Sequence, residues 1–495
     1  MDGFVSARTI VADVVAGRSA RDVLHQHVVH HRRTHPRLNA LVLPRHREAA
    51  AEAAGIDRRS DRARLTLAGV PVSVKECFAV AGLPTTLGII RRRHAIDAAD
   101  GALVTRLRAA GAVVVGKANV PQAMYLHETD NPVHGRTLHP LRDDRGPGGS
   151  SGGDAALVAA GVVPLAVGND LAGSIRQPAH SCGVFGLLPR HALLGEGGAF
   201  DTVPGLSLVR PRIGLLARDI ADLRLFHAAL AGPTPDLLGG RPLRVGWWDD
   251  AGPVGASAAV RRGVAEAIGR LASRGATVER VDSAPALEAA WVLLGILSAD
   301  GGADIRRLFA GERPIPGVGR LLAMSGLGEP WRTALAIAAR LGGRRLEAAG
   351  LRATGPRSAA GMAALVAARD AVGEQVARWA TRFDAIVCPV SALPALRHGT
   401  AATLVLAAVP CLLANLLDLP AGTAPVTTVR ADEEVGRPWS FDPVLRAARA
   451  TDLGSAGLPV GVQVVGLAGD ERTVLDCLAA VSPDAGAVHA AADRH

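Results

Sequence analysis

GGSSGGDAALVAAGVVPLAVGNDLAGSIRQPAHSCGVFGLLP, residues 148–189, opens on a run of Gly and Ser, continues as a helix-like segment and then becomes an apolar, strand-like run. A flexible linker would sit in polar surroundings, whereas apolar residues follow here at once, so the Gly run belongs to folded structure. The same alternation recurs on both sides. Upstream lie VPVSV (70–74), the amphipathic ALVTRLRAA (102–110) and AVVVG (112–116). Downstream lie LRVGWW (243–248), ATVERV (276–281), DAIVCPV (384–390) and PVGVQVVG (459–466), with VVPLAV (162–167) inside the opening stretch. Strands alternating with helices predict an α/β sandwich. Residues 7–56 read as helical, with Ser19 and Asp22 as a capping box before DVLHQHVVHH. From 284 to 380 the pattern is almost wholly helical, as in EPWRTALAIAARLGGRRLEAAG (329–350), which predicts a helical insertion over the sheet. No repeat is visible, and the Ala-rich, polar chain from 483 to 495 reads as a flexible tail.

With 495 residues and 48% hydrophobic content the chain can bury a large core, which excludes disorder for its bulk. Aromatics reach only 3%, so stacking platforms for single-stranded nucleic acid are not expected. The net charge is +9 from 55 basic and 46 acidic side chains, but the basic ones are scattered, as a solvated surface requires. Cys77, Cys182, Cys388, Cys411 and Cys477 are odd in number and form no CxxC pattern. That spacing argues against a disulfide framework or a zinc site and fits a reducing cytoplasm. The N-terminus shows no signal peptide. The most apolar stretch, 404–419, is broken by Pro410, Asn415 and Asp418 and falls short of the ~20 residues a membrane span needs. A soluble, cytoplasmic protein is expected.

Only two of the 55 basic residues are Lys, at positions 75 and 117. Lys75 closes the strand-like VPVSV. An Arg would stand there if charge alone were wanted, but Arg cannot lose its proton, whereas desolvation lowers a buried Lys by up to ~3–5 pKa units. The run Gly148-Gly149-Ser150-Ser151-Gly152-Gly153 lacks the Lys of a phosphate-binding loop and is followed by Asp154, which would repel phosphate. It also contains the spacing of a hydrolase nucleophile elbow, but the preceding LRDDRGP (141–147) is no strand. Twenty-four residues on, Asp170-Leu171-Ala172-Gly173-Ser174-Ile175-Arg176 offers small residues whose N–H groups can approach a ligand.

GVPVSVKECF (69–78), GGSSGGDAALVAAG (148–161), PLAVGNDLAGSIRQPAHSCGVFGLLP (164–189) and GLPVGVQVVG (457–466), together with GLLARDIADL (214–223) and DAIVCPV, resemble the amidase signature family. That resemblance implies an α/β/α sandwich around a central mixed, twisted β-sheet, in one domain over 1–482. Its parts would be N-terminal helices (1–60), a signature core (65–235) and the helical insertion (284–380). It further implies a Ser–cis-Ser–Lys triad: Ser174 as nucleophile, Ser150 as bridging serine after a cis Gly149–Ser150 bond, and Lys75 as base. The backbone N–H groups of Leu171, Ala172, Gly173 and Ser174 would form the oxyanion hole, with Ser151, Asp170 and Arg176 in support and Asp170 paired to Arg176. The implied activity is hydrolysis of a small-molecule carboxamide through an acyl-serine, without cofactor or metal. An acyl transfer to an amine and a catalytically silent member are the alternatives. A Ser-His-Asp esterase centred on Ser150 ranks last.

Three positions and one segment depart from the family pattern: Ala172 where Gly is usual, Asn169 where Thr or Ser is usual, Leu188 where Lys is usual, and PRHALLGEGG (189–198). HETDNPVHGRTLHP (127–140) and NLLDLPAGTAPVTTV (415–429) are more similar to general and fatty-acid-amide amidases than to the A subunit of the glutamyl-tRNA amidotransferase. Met124 and Tyr125 are candidates for the acyl pocket, and a homodimer is allowed by the resemblance. His27 and His31 stand i, i+4 in a His-rich helix, but no carboxylate or Cys completes a metal site, so a solvated face is expected. No nucleotide-binding motif is present.

Overall fold

The computed structural model describes residues 5–233, 240–250, 252–467 and 470–483. All but the first residue of the tail expected over 483–495 lies outside them. Among the described residues one mixed sheet contains eleven strands: β1 Leu41–Pro44, β2 Pro71–Lys75, β3 Val113–Ala118, β4 Leu165–Asp170, β5 Phe185–Leu188, β6 Arg212–Ala217, β7 Arg244–Trp247, β8 Thr277–Arg280, β9 Ala385–Pro389, β10 Ala421–Thr428 and β11 Pro459–Gly466. Their order is β1-β3-β2-β4-β6-β5-β10-β11-β9-β7-β8. The pairs β3/β2, β2/β4, β9/β7 and β7/β8 are parallel, and the central run from β4 through β9 is antiparallel.

Helices cover both faces, because neighbouring residues of a strand point to opposite sides. On β10, a Cβ at Gly422 would meet Leu478 and Val474 of the helix Glu471–Val481, whereas the Thr423 hydroxyl donates to the Arg176 carbonyl of the helix Arg176–Cys182. This is an α/β/α sandwich. β4, β6 and β11 among its central strands are buried along their whole length. Six helices, from Ala284–Leu297 to Ala359–Ala380, run through residues 284–380.

Two expectations for the N-terminal region change. The segment 7–56 is not continuously helical: the helices Ala7–Ala16, Ala20–Leu38 and His46–Asp57 are interrupted by β1, which pairs antiparallel with β3. Ser19 does cap the second of these, accepting from the Asp22 N–H. The histidine face of that helix is not solvated. His27 Nδ1 lies 2.9 Å from the Val162 carbonyl and His30 Nε2 2.7 Å from that of Ala160. His31 is buried against the rings of His35 and His46, and burial first, then those rings, pushes its imidazole down to about 4. His27 and His30 serve the contact with the chain after the Gly152–Ala159 helix, and no cluster with metal-ligand geometry occurs among the described residues.

Candidate active site

β2 and β4 lie side by side and parallel, so their carboxyl ends open at the same edge of the sheet. Lys75 is the last residue of β2, and β4 ends at Asp170 and runs directly into Leu171, Ala172, Gly173 and Ser174. Residues 141–147 form no strand, which removes the context a nucleophile elbow centred on Ser150 requires. The Gly run instead passes tightly through the core. A Cβ on Gly149 would stand 2.6 Å from the Leu126 carbonyl oxygen, and one on Gly153 2.5 Å from the Asn119 nitrogen. Only glycine lets the backbone approach so closely. The Gly149–Ser150 peptide is cis.

The three residues expected to act together meet. Ser150 Oγ lies 2.7 Å from Lys75 Nζ and 2.9 Å from Ser174 Oγ. Lys75 is fully buried and Ser174 nearly so. Nζ also contacts two oxygens of one residue, Asn169 Oδ1 at 2.7 Å and Asn169 O at 3.2 Å. Desolvation pulls the Lys75 ammonium down to about 8, against the opposing pull of Cys77, Asp154 and Asp170. Ser73, two residues before Lys75 and hence on the same face of β2, donates to Asp154 Oδ1 at 2.8 Å. Burial raises the Asp154 carboxyl to about 7. Ser151 ties the Gly run to the nucleophile, its N–H donating to the Ser174 carbonyl at 3.1 Å.

The loop after β4 is held from within. Asp170 accepts from the N–H groups of Gly173 (2.7 Å) and Ile175 (3.0 Å) and pairs with Arg176, both side chains being fully buried. Burial would raise the Asp170 carboxyl, but Arg176, those N–H groups and Asn415 hold it well below the usual carboxylate range. The remaining Arg176 donors reach Cys411 O, Gln463 Oε1 and Asn415 Oδ1. Gly173 occupies the left-handed position, at φ 98°, where a Cβ would also stand 2.9 Å from that of Cys411. Ala172 is outside that region, so the loop accepts its Cβ. Among the described residues the N–H groups of Leu171, Ala172 and Ser174 have no partner, whereas that of Gly173 is taken by Asp170.

Sequence reasoning missed several of these contacts. His127 Nε2 lies 3.1 Å from the Ala172 carbonyl, and burial pushes the imidazole down to about 4, so a neutral ring donates there. Asn169 stands out in the sequence only as a departure from the family pattern, and its grip on Lys75 is visible only in space. Asp154 was read as a deterrent to phosphate and turns out to be a buried neighbour of the Lys75 face. Tyr125 and Met124 are both partly buried against the core, and burial raises the Tyr125 hydroxyl. Lys117 is far from idle: its Nζ contacts Pro84 O, Thr85 Oγ1 and Asp97 Oδ2 at 2.7–2.9 Å.

The amidase family model matches residues 22–475. Fatty-acid amide hydrolase 1 of Sus scrofa is 34% identical over 440 residues, 83% of this chain and 74% of the relative. The A subunit of the glutamyl-tRNA(Gln) amidotransferase of Thermus thermophilus is 41% identical, but over only 171 residues, 34% of this chain and 36% of that one. The likeness to the fatty-acid-amide type is thus the more extended. A solved fatty acid amide hydrolase superposes with a TM-score of 0.82 at 21% identity, covering 97% of this chain and 86% of that one. Both the family match and a relative above 30% identity run over most of the sequence, and the chain therefore belongs to the amidase signature family of hydrolases that act on amide bonds.

Proposed function

We propose that this amidase cleaves a small-molecule carboxamide through an acyl-Ser174 intermediate, with Lys75 as base and Ser150 as the bridge between them. The observation that carries the reading is the buried chain Lys75 Nζ, Ser150 Oγ, Ser174 Oγ, with links of 2.7 and 2.9 Å. A neutral amine has two N–H donors and one lone pair. The two Asn169 oxygens accept the donors, which leaves the lone pair aimed at Ser150. Lys75 takes the Ser150 proton as Ser150 takes that of Ser174, and Ser174 Oγ attacks the carbonyl carbon.

The oxyanion that forms is received by the unpaired N–H groups of Leu171, Ala172 and Ser174, where losing one such donor costs ~10²–10³ in turnover. The Gly173 N–H, expected among them, joins only where it leaves Asp170. The relay then reverses: Ser150 protonates the departing amine and is reprotonated from Lys75, and water drawn through the same groups releases the acid. The side chains of Leu171 and Ala172 beside Ser174 are apolar and half-buried, and with the extended likeness to a fatty-acid amide hydrolase they favour an apolar acyl group. All five cysteines are unpaired and buried, which fits the cytoplasm as the site of action.

Ser174→Ala tests the reading. It should abolish hydrolysis while leaving the thermal transition in place, and mass spectrometry of the native enzyme quenched during turnover should find the acyl mass on the Ser174 peptide. Wild-type turnover by the purified variant would refute the assignment.

A further inference from the structure

The helices of residues 284–380 enclose a cavity of about 580 Å³ that shares no residue with the cluster around Ser174. Its wall is made by the first turn of the helix Glu329–Leu341, the last turn of Arg345–Ala353 and the first turn of Ala359–Ala380. Two helix N-termini thus turn their positive ends toward it.

Arg332 is the unusual member of this wall. Its side chain is 95% buried, and neither Nε nor Nη1 has a hydrogen-bond partner. Glu329, one turn earlier and the only carboxylate on the wall, makes no ion pair with it among the described residues. A guanidinium taken from water without a partner is costly, and a counter-charge in the cavity would offset that cost. Room for the group is built in: a Cβ at Gly355 would stand 2.7 Å from Arg332 Cδ and Cζ.

Arg357 and Arg352 add two further cations. Arg357 is held in place by the Ala353 carbonyl at 2.5 Å and faces Arg332 closely enough for the two charges to oppose one another. Ser358, the N-cap of the last helix, accepts from the Gly361 N–H, and its hydroxyl hydrogen is left for the cavity along with that of Thr333. Three guanidiniums against one carboxylate leave an excess of two positive charges. Opposite them the wall is apolar, with Leu351, Pro356 and Leu365. The volume is that of a site for a small organic molecule, far larger than an inorganic anion needs.

We propose that this cavity binds a small organic acid, its carboxylate on the unpaired Arg332 guanidinium with Arg357 beside it, and its apolar part against Leu351, Pro356 and Leu365. A carboxylate accepts charge-assisted N–H bonds from more than one guanidinium, here one from Arg332 Nη2, the nitrogen of that group not sealed from the cavity, and one from Arg357.

The test is calorimetric titration of the full chain with hexanoate, hexyl phosphate and 1-hexanol as probes. Hexanoate should bind saturably and 1-hexanol should not. Arg332→Met, which keeps the apolar stem, should weaken hexanoate at least about tenfold, and Arg357→Gln, at a more exposed position, should weaken it too. The kcat/KM of both variants on an amide substrate should stay at the wild-type value, which separates this site from product binding at Ser174. No hexanoate binding, hexanoate affinity unchanged in both variants, or 1-hexanol binding as well as hexanoate would overturn the proposal. Binding of hexyl phosphate with none of hexanoate would overturn the carboxylate assignment in favour of a phosphate ester.

Discussion

Raising the pH from 7 to 9 should increase kcat/KM about tenfold, because the proposed base is Lys75, a lysine that burial has brought down to about 8. At that value about one-tenth of Lys75 is neutral at pH 7 and about nine-tenths at pH 9, whereas an ordinary lysine would be neutral in fewer than about one molecule in a thousand at pH 7. Three groups bear on the position of this limb. Cys77 is a buried thiol pushed up to about 12, so it carries no charge in this range. Asp170 is ionised throughout and paired with Arg176. Asp154, raised to about 7, is the one whose charge changes where the rate changes, and the protons leave the Lys75–Asp154 pair in two steps. Its ionised form favours the ammonium. Asp154→Asn removes that charge, so Lys75 should lose its proton more readily and the limb should move to lower pH by about one unit. The assay is the initial rate of release of a chromogenic arylamine from its amide, at substrate well below KM, from pH 6 to 9.5. A flat profile, or a limb near the pKa of free lysine, would sink the idea of a desolvated lysine base. A limb that moved upward in Asp154→Asn would refute the sign of the coupling.

Asn169→Asp places a carboxylate where Lys75 Nζ now meets neutral oxygens, so the limb should rise by about two units and kcat/KM at pH 7 fall ~10²-fold, recovering in alkali; a loss that is the same at every pH would refute this. Asp170→Asn leaves the fully buried Arg176 without its counter-charge and should cost about 3–5 kcal/mol of stability, read as a lowered urea midpoint with unchanged m. Lys117→Met strands the partly buried Asp97 carboxylate and should cost about 2–4 kcal/mol, while the pH limb of the surviving activity stays where it was. A shift of that limb would place Lys117 in the chemistry after all.

The strands that frame the site were legible because β2, β3, β4, β9 and β11 are dense in Val and Ile or bounded by turn residues. β5 (FGLL) and β6 (RIGLLA), buried on both faces like the others, were passed over as strands because they are rich in Leu and Gly and poor in β-branched residues. β10, AGTAPVTT, carries a Gly and a Pro that argue against a central strand. Its register slips between Pro425 and Thr427, which is where a residue without an N–H can be accommodated. β1 is four residues between two long helices, too short to compete with the helical pattern around it. At the site, Lys75, Ser150 and Ser174 stood out by rarity and motif. Asn169, Asp154 and His127 act through contacts made 94, 81 and 45 residues away along the chain, and no local pattern encodes a meeting of that kind.

Burial alone does not explain why two lysines survive among 53 arginines, since Arg145 and Arg176 are buried just as completely. The difference lies in how the acceptors are arranged. Arg176 reaches Asp170, Cys411, Asn415 and Gln463, and Arg212 reaches the carbonyls of Pro189, Ala414 and Leu419, in each case spreading a planar fork over separate partners. The lysines instead meet three oxygens gathered around a single nitrogen: Ser150 Oγ and the two of Asn169 for Lys75, and Pro84 O, Thr85 Oγ1 and Asp97 Oδ2 for Lys117. A guanidinium cannot place three donors on one point, so neither site accepts the Arg that fills every other basic position. What separates the two lysines is the third oxygen. Lys117 has a carboxylate at 2.9 Å and is locked as half of an ion pair. The oxygens around Lys75 are all neutral, the nearby Asp154 being turned to Ser73, so no opposite charge in contact offsets its desolvation and the amine can give up its proton, as the proposed relay requires.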